Sequence, residues 1–163
     1  MPLTKDIADP ELRDGLRVGV DASRSRSGGA VAHIKGLMAG GDPREYGIAA
    51  VHLWAHDSLL DEVADATWLT KHRVAASLGS ILRQMAWQRW SLPGIARRLG
   101  IDAMFNTDAG SIYPGRPCMT LSQDMLSFEP GEMQRYPWPS RARIRLELLR
   151  FLQLRRLRRS TVP

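Results

Sequence analysis

The chain alternates short apolar runs with stretches in which apolar residues recur every three or four positions, and this pattern predicts strands and helices in turn. Val18 to Ala22 reads as a first strand. Beyond it, Ala30, Val31, Ile34, Leu37 and Met38 fall on one face of a helix from about Ala30 to Met38, which Gly40-Gly41-Asp42-Pro43 ends. Ile48 to Trp54 is a second, strongly apolar strand, and Ser58 followed by Asp61 and Glu62 reads as the capped start of a short helix. Thr67-Trp68-Leu69 reads as a third strand. Ser77 to Leu99 forms a long helical region, kinked or broken at Pro93-Gly94. Ala103 to Asn106 is a fourth strand, and Cys118 to Ser122 a fifth after the turn Pro114-Gly115-Arg116-Pro117. Prolines 130, 137 and 139 mark 128–140 as a loop. Arg141 to Arg159 is a last amphipathic helix using Ile144, Leu148, Phe151 and Leu152.

Strands alternating with helices imply right-handed crossovers and a parallel sheet, with ligands received outside the carboxyl ends of the strands. The residues after each strand are therefore the candidates for function. They are Asp21, Ser23, Gly28 and Gly29 after the first, His56 and Asp57 after the second, and His72 after the third. Asn106 to Gly110 follow the fourth, and Gln123-Asp124 the fifth.

A strand that ends in a glycine turn feeding a helix leaves N–H groups unpaired at the positive end of the helix dipole, where a phosphate oxygen can accept them. Gly28-Gly29 carry no Cβ to hold an anion away. Many α/β proteins use the same succession for packing alone. The chain has no G-x-G and no Gly-Lys-Ser/Thr, which excludes a standard dinucleotide fingerprint and a Walker A loop.

At 163 residues the chain fits one domain, and its one cysteine, Cys118, allows no intrachain disulfide and suits a reducing compartment. Lys5, Asp6, Asp9, Glu11, Arg13 and Asp14 leave no apolar run at the start, so neither a signal peptide nor a membrane span is expected there. The expectation is a cytoplasmic protein with a frayed segment 1–15, a domain over 16–159 and a tail 160–163. The formal net charge is +6, and arginines crowd the C-terminal end from Arg135 to Arg159. That block fits nucleic acid, anionic lipid or a phosphorylated ligand, or else a solvated helix face. No RNP-like aromatic motif, helix-turn-helix spacing or zinc module accompanies it, which disfavours nucleic acid.

His52 and His56 have a zinc-like spacing only on a helix, and here they fall in or just past a strand with no cysteine cluster beside them. No G-x-S-x-G elbow and no Asp-x-Asp occurs, so a serine hydrolase of that type and a glycosyltransferase anchoring its donor through Asp-x-Asp are disfavoured. Gln123-Asp124, with Asn106 and Asp108 on the neighbouring strand end, suit a hydroxyl-rich ligand, although an Asp there also caps turns. Phe128, Tyr136 and Trp138 are placed to stack on a sugar ring or to pin their loop to the core.

The succession Arg17-Val18-Gly19-Val20-Asp21-Ala22, Ser27-Gly28-Gly29 opening a helix, Gly100-Ile101-Asp102-Ala103-Met104-Phe105-Asn106, Thr120-Leu121-Ser122-Gln123-Asp124-Met125, a Pro-rich loop and an arginine-rich helix resembles the N-terminal half of a GT-B retaining glycosyltransferase, over roughly residues 16 to 159. The resemblance implies a Rossmann-like α/β domain, a parallel sheet flanked by helices, on the acceptor side of a two-domain cleft. It implies a nucleotide-sugar donor and a sugar or lipid-linked acceptor, with no cofactor and no essential metal. Gly28 and Gly29 match the loop that approaches the donor diphosphate. Gln123-Asp124 match a strand-end pair that is often His-Asp, here without its histidine, and are the catalytic candidates. Asn106, Asp108, Tyr136 and Trp138 are candidates for acceptor binding. The family's donor-binding pair of glutamates has no match in this chain, which reads as a half-enzyme that is inactive alone. The alternative is a basic α/β module that meets anionic membrane through its last helix.

Overall fold

The computed structural model describes residues 15–25, 28–74, 80–121, 128–129 and 131–158. Five strands, β1 (Leu16–Asp21), β2 (Ile48–Ala55), β3 (Leu69–Arg73), β4 (Ala103–Asn106) and β5 (Cys118–Thr120), form one sheet in the order β3-β2-β1-β4-β5. All four pairings are parallel, and helices flank the sheet as in a Rossmann-like α/β fold. The chain walks outward from β1 to β3 and then returns past β1 to begin β4. This reversal makes the carboxyl ends of β1 and β4 the point where the strand order switches, the usual place for a ligand in such sheets.

Alternation along the strands divides the core in two. Val20, Val51, Leu53 and Ala55 pack with Ile34 of α1 (Gly29–Ala39) and with Leu59 and Leu60 of α2 (Asp57–Glu62). On the opposite face Trp54 and Met104 pack with Leu92 and Ala96 of α4 (Leu92–Leu99). Burial on both faces explains why β2 reads as nearly continuous apolar sequence. Each fully buried Leu or Ile contributes roughly 1.5–3 kcal/mol from its removal from water.

Several sequence expectations shift. The third strand starts at Leu69 rather than Thr67, because it is an edge strand whose Lys71 and Arg73 are satisfied by carboxylates instead of burial. Lys71 pairs with Asp65 at 2.6 Å, and Arg73 with Asp57 at 2.9 Å and Asp61 at 3.2 Å. The short helix begins at Asp57 with His56 at its N-cap, so Ser58 lies inside it and is not the cap. The helical region is interrupted ahead of Pro93 rather than at it. Between α3 (Ile81–Ala86) and α4 lies one wide π turn, Trp87–Ser91, and Pro93 sits in the first turn of α4. Pro93 has no N–H for the carbonyl one turn back, and the widened turn accommodates that loss. The fifth strand is Cys118–Thr120, the segment before the last helix contains a 3-10 turn at Glu132–Arg135, and α5 spans Arg141–Leu157. Residues 1–14 and 159–163 lie outside the described residues.

The β4–β5 connection, 107–117, contains no helix, yet it buries Ala109, Ser111 and Tyr113. Among the described residues no helix is long and apolar enough to cross a membrane.

Gly19 sits in the middle of β1, where a Cβ would lie 2.9 Å from Met104 Sδ and from Trp54 Cζ3. Gly19→Ala is therefore expected to lower stability by about 1–3 kcal/mol, through displacement of two core side chains. Urea unfolding measures this, and an unchanged midpoint would contradict the packing described.

Candidate ligand site at the strand ends

At the centre of these strand ends is Asp21, the last residue of β1. It retains 3% of its surface, and a carboxylate so enclosed needs hydrogen bonds from protein groups. Ser23 supplies two, from its hydroxyl (2.6 Å) and its N–H (3.1 Å), both to Oδ1. Gln88 Nε2 donates to Oδ2 at 2.7 Å. Burial nevertheless dominates and pushes the Asp21 carboxyl above the usual carboxylate range, with the Asp108 charge adding to the rise and the Ser23 and Gln88 bonds opposing it.

Gln84 and Gln88 reach this point from α3 and the π turn. Residues 84, 88, 92 and 96 form one buried stripe, polar where it meets the strand ends and apolar where it meets the sheet. Gln84 Nε2 donates to the Ser23 carbonyl, so both glutamines hold the first residues after β1. Gln88 Oε1 has no hydrogen-bond partner among the described residues. Turning the Gln88 amide over would present that oxygen to Asp21 Oδ2, an arrangement suited to the protonated acid.

The turn after β1 is also tied to the loop after β4. Thr107 donates its hydroxyl to the Asp21 carbonyl at 3.0 Å, which makes Ser25 the donor in the 3.1 Å contact between the Ser25 and Thr107 hydroxyls. Arg24 Nε pairs with Asp108 at 2.8 Å, and its guanidinium also donates to the Gly110 carbonyl at 3.0 Å. A Cβ on Gly110 would come within 2.8 Å of that guanidinium, so a side chain there would have to displace the Arg24 tip. The two loops consequently form one rim.

Of the residues singled out from the sequence, Asn106 and Asp108 belong to this rim. Asn106 has no exposed surface. Its amide accepts from Ser111 Oγ at 3.1 Å and donates to the Met119 carbonyl at 3.4 Å, so it shapes the rim from beneath. Asp108 is partly exposed and committed to Arg24 and the Gly110 N–H. Gly28 has φ +66°, a conformation that favours glycine, and it precedes α1 without a side-chain cap. Among the described residues nothing lies within 4 Å of a Cβ added at Gly28 or Gly29, and no acidic residue occupies the first turn of α1. Gly28 and Gly29 are thus open to a ligand on that account.

Tyr136 and Trp138 stand before α5, with Trp138 74% exposed, and neither lines the cleft beside α1 or the one beside β5. Phe128 lies under the Arg150 guanidinium, 5.8 Å from ring centroid to Cζ. Gln123 and Asp124 lie outside the described residues. Gln84, Gln88, Ser25 and Ser111 have no counterpart among the sequence candidates, whereas Thr107 falls within the 106–110 stretch expected after the fourth strand. The glutamines carried a readable signal, two polar residues at helical spacing in line with Leu92 and Ala96.

The histidines adopt another arrangement. His72 lies inside β3 opposite Trp54, not after the strand, and stacks on the Trp54 ring at 4.8 Å. His52 Nδ1 lies 2.9 Å from His72 Nε2, so one ring donates and the other accepts. Burial lowers both pKa values, with His72 and Arg17 adding to the effect on His52. Among the described residues no group of three or more His, Cys, Asp or Glu is placed to hold a metal ion.

The pKa of Asp21 is raised, so the stability associated with its neutral form is present below about 3.8 and is lost as pH rises through the higher folded-state value. The histidines, with lowered values, act oppositely and lose stability as pH falls below about 6.5. Comparison of Asp21→Asn with the parent isolates the carboxyl. The variant keeps the Ser23 bonds, donates to a turned Gln88 amide, and is expected to be at least as stable at neutral pH while lacking the loss of stability that the parent shows as pH rises above about 3.8. Chemical denaturation across pH measures this, and a large loss of stability at neutral pH would contradict it.

Comparison with protein-family models, curated proteins and solved structures found no match to the chain, so the functional reading rests on the geometry of these strand ends.

Proposed function

We propose that the chain is the acceptor-side domain of a GT-B retaining glycosyltransferase, which transfers a sugar from a nucleotide-sugar to an acceptor hydroxyl. The observation that carries this reading is the open Gly28-Gly29 loop after β1, on a turn tied by Ser25, Arg24, Thr107 and Asp108 to the end of β4. Such a loop admits a diphosphate to backbone N–H groups and to the positive end of α1. The resemblance in sequence order gives that diphosphate its identity as part of a nucleotide-sugar.

In this reading the N–H groups at Gly28 and Gly29 stabilise charge developing on the departing diphosphate, whose own oxygen assists removal of the acceptor proton. Asp21 acts indirectly. It fixes Ser23 and so sets the course of the turn toward the glycines. Gln123 and Asp124 are proposed to orient the acceptor. The domain supplies one wall of the cleft and a donor-binding domain the other, so the chain alone is expected to show no turnover.

A second reading has its own support. In α5 the large apolar side chains of Ile144, Leu148 and Phe151, at spacing i, i+4, i+7, are half or more exposed among exposed arginines at 141, 150, 155 and 158. That face suits an anionic membrane surface, at which a lipid-linked acceptor would also lie. Sedimentation with anionic vesicles, weakening with salt and absent with neutral vesicles, is the expected result. Equal binding to neutral vesicles would contradict it.

Gly29→Val tests the glycosyltransferase reading directly. The position is open and lies at the start of a helix, so the fold is expected to keep its stability within about 0.5 kcal/mol. The weak binding of a nucleotide diphosphate sugar to the chain is expected to fall at least tenfold, about 1.4 kcal/mol. Binding that is undiminished in a folded variant would contradict the proposed role of the loop.

A further inference from the structure

A second concavity lies away from the glycine loop. Its volume is about 560 Å³, and it is bordered by the π turn, the irregular β4–β5 loop, the start of β5 and the C-terminal end of α5. Three of these elements each contribute one arginine: Arg89 from the π turn, Arg116 from the loop and Arg155 from α5. No Asp or Glu among the described residues lines the cleft. Among the described residues none of the three guanidiniums has an ion-pair partner, whereas Arg24, Arg44, Arg73 and Arg143 each have at least one. Like charges gathered around a concavity repel one another, and an anion placed between them removes that cost.

The remaining walls define the rest of the ligand. Tyr113 is buried, and its ring lies against Gly115 so closely that a Cβ there would overlap it. The loop glycine is therefore what lets the tyrosine form part of the lining. Trp90 stands at the rim with 74% of its surface exposed, which leaves its indole accessible to a ligand in the cleft. The volume falls within the range of about 300–1,000 Å³ typical of small-molecule sites, and it exceeds the need of a bare phosphate. A planar guanidinium fork matches phosphate oxygens, and an exposed indole matches the apolar face of a sugar ring.

We propose that this cleft binds a phosphate monoester carrying a sugar-sized body, with the phosphate among Arg89, Arg116 and Arg155 and the body against Trp90 and Tyr113. The proposal stands on the cleft alone. It also deepens the glycosyltransferase reading, because Ser111 lines the cleft and bonds to Asn106 at the rim. An ester held there lies next to the strand ends, so if the chain serves in glycosyl transfer, its acceptor carries a phosphate.

The test is direct titration of the full chain with glucose 6-phosphate, inorganic phosphate and glucose, followed by calorimetry and by Trp fluorescence. Glucose 6-phosphate is expected to bind saturably, inorganic phosphate more weakly and glucose not at all. Arg116→Glu and Arg89→Glu, at exposed positions, are each expected to weaken phosphate binding at least tenfold. Arg98→Glu, at an exposed position on α4 outside the cleft, is expected to leave it unchanged. Vesicles containing phosphatidic acid distinguish the two sources of such an ester. Sedimentation lost in Arg116→Glu but not in Arg98→Glu assigns a lipid headgroup, and any other vesicle result accompanying saturable phosphate binding assigns a soluble ester.

Two results would overturn the site: no Arg116-dependent binding of either phosphate probe or of the vesicles, or an equal effect of Arg98→Glu. Gly29→Val separates this proposal from the previous one. It is expected to leave glucose 6-phosphate binding intact, so loss of nucleotide-sugar binding and loss of phosphate-ester binding fail independently.

Discussion

A carboxyl group at the end of the central strand, sealed from water, is the constraint on which the rest of the strand-end architecture depends. Asp21 cannot be solvated, so protein groups must satisfy it, and those groups come from two directions in the chain. Ser23 turns back on it from the next residues, and Gln88 reaches it across the sheet face. The first contact sets the course of the turn toward Gly28, and the second fixes the π turn over the carboxyl ends of the strands. Thr107 then fastens the β4 loop to the Asp21 carbonyl. Removal of the carboxyl's partners would leave a buried polar group unpaired, at a cost of roughly 1–3 kcal/mol or more for a charged form.

The polar ends and the apolar core are made by the same helical stripe. Leu92 and Ala96 fill the interior beside Trp54 and Met104, while Gln84 and Gln88, one and two turns earlier, hold the loops. The widened turn at Trp87–Ser91 does two things at once. It accommodates Pro93, and it brings Arg89 and Trp90 out to the cleft. Positive charge is therefore concentrated on the same side as the irregular β4–β5 loop, where Arg116 and Arg155 also stand.

Much of this was legible in the sequence, and the misses have physical reasons. The β1, β2 and β4 assignments followed from apolar runs that two-sided burial demands, and the parallel sheet followed from their alternation with helices. β3 was placed too early because Thr70, Lys71, His72 and Arg73 form an edge strand held by ion pairs with Asp57, Asp61 and Asp65, which leaves no apolar signature. The break in the helical region was assigned to Pro93-Gly94 because proline marks where a carbonyl loses its donor, whereas the backbone responds one turn earlier. Asn106 and Asp108 were placed at a strand end, but sequence alone did not show that one is wholly buried and the other paired with Arg24. The glutamine stripe and the three-arginine cleft escaped because each joins residues far apart in the chain, and no local spacing reports such a meeting.

The central claim is that the glycine loop after β1 and the loop after β4 act as one ligand-receiving rim. Backbone amide chemical-shift mapping of the chain during titration with a nucleotide diphosphate sugar tests it most directly. The account requires the largest shifts at Gly28, Gly29 and Ala30 together with residues 106 to 111. Shifts confined to α5 or to the Arg89–Arg116 cleft, with the glycine loop unmoved, would contradict it.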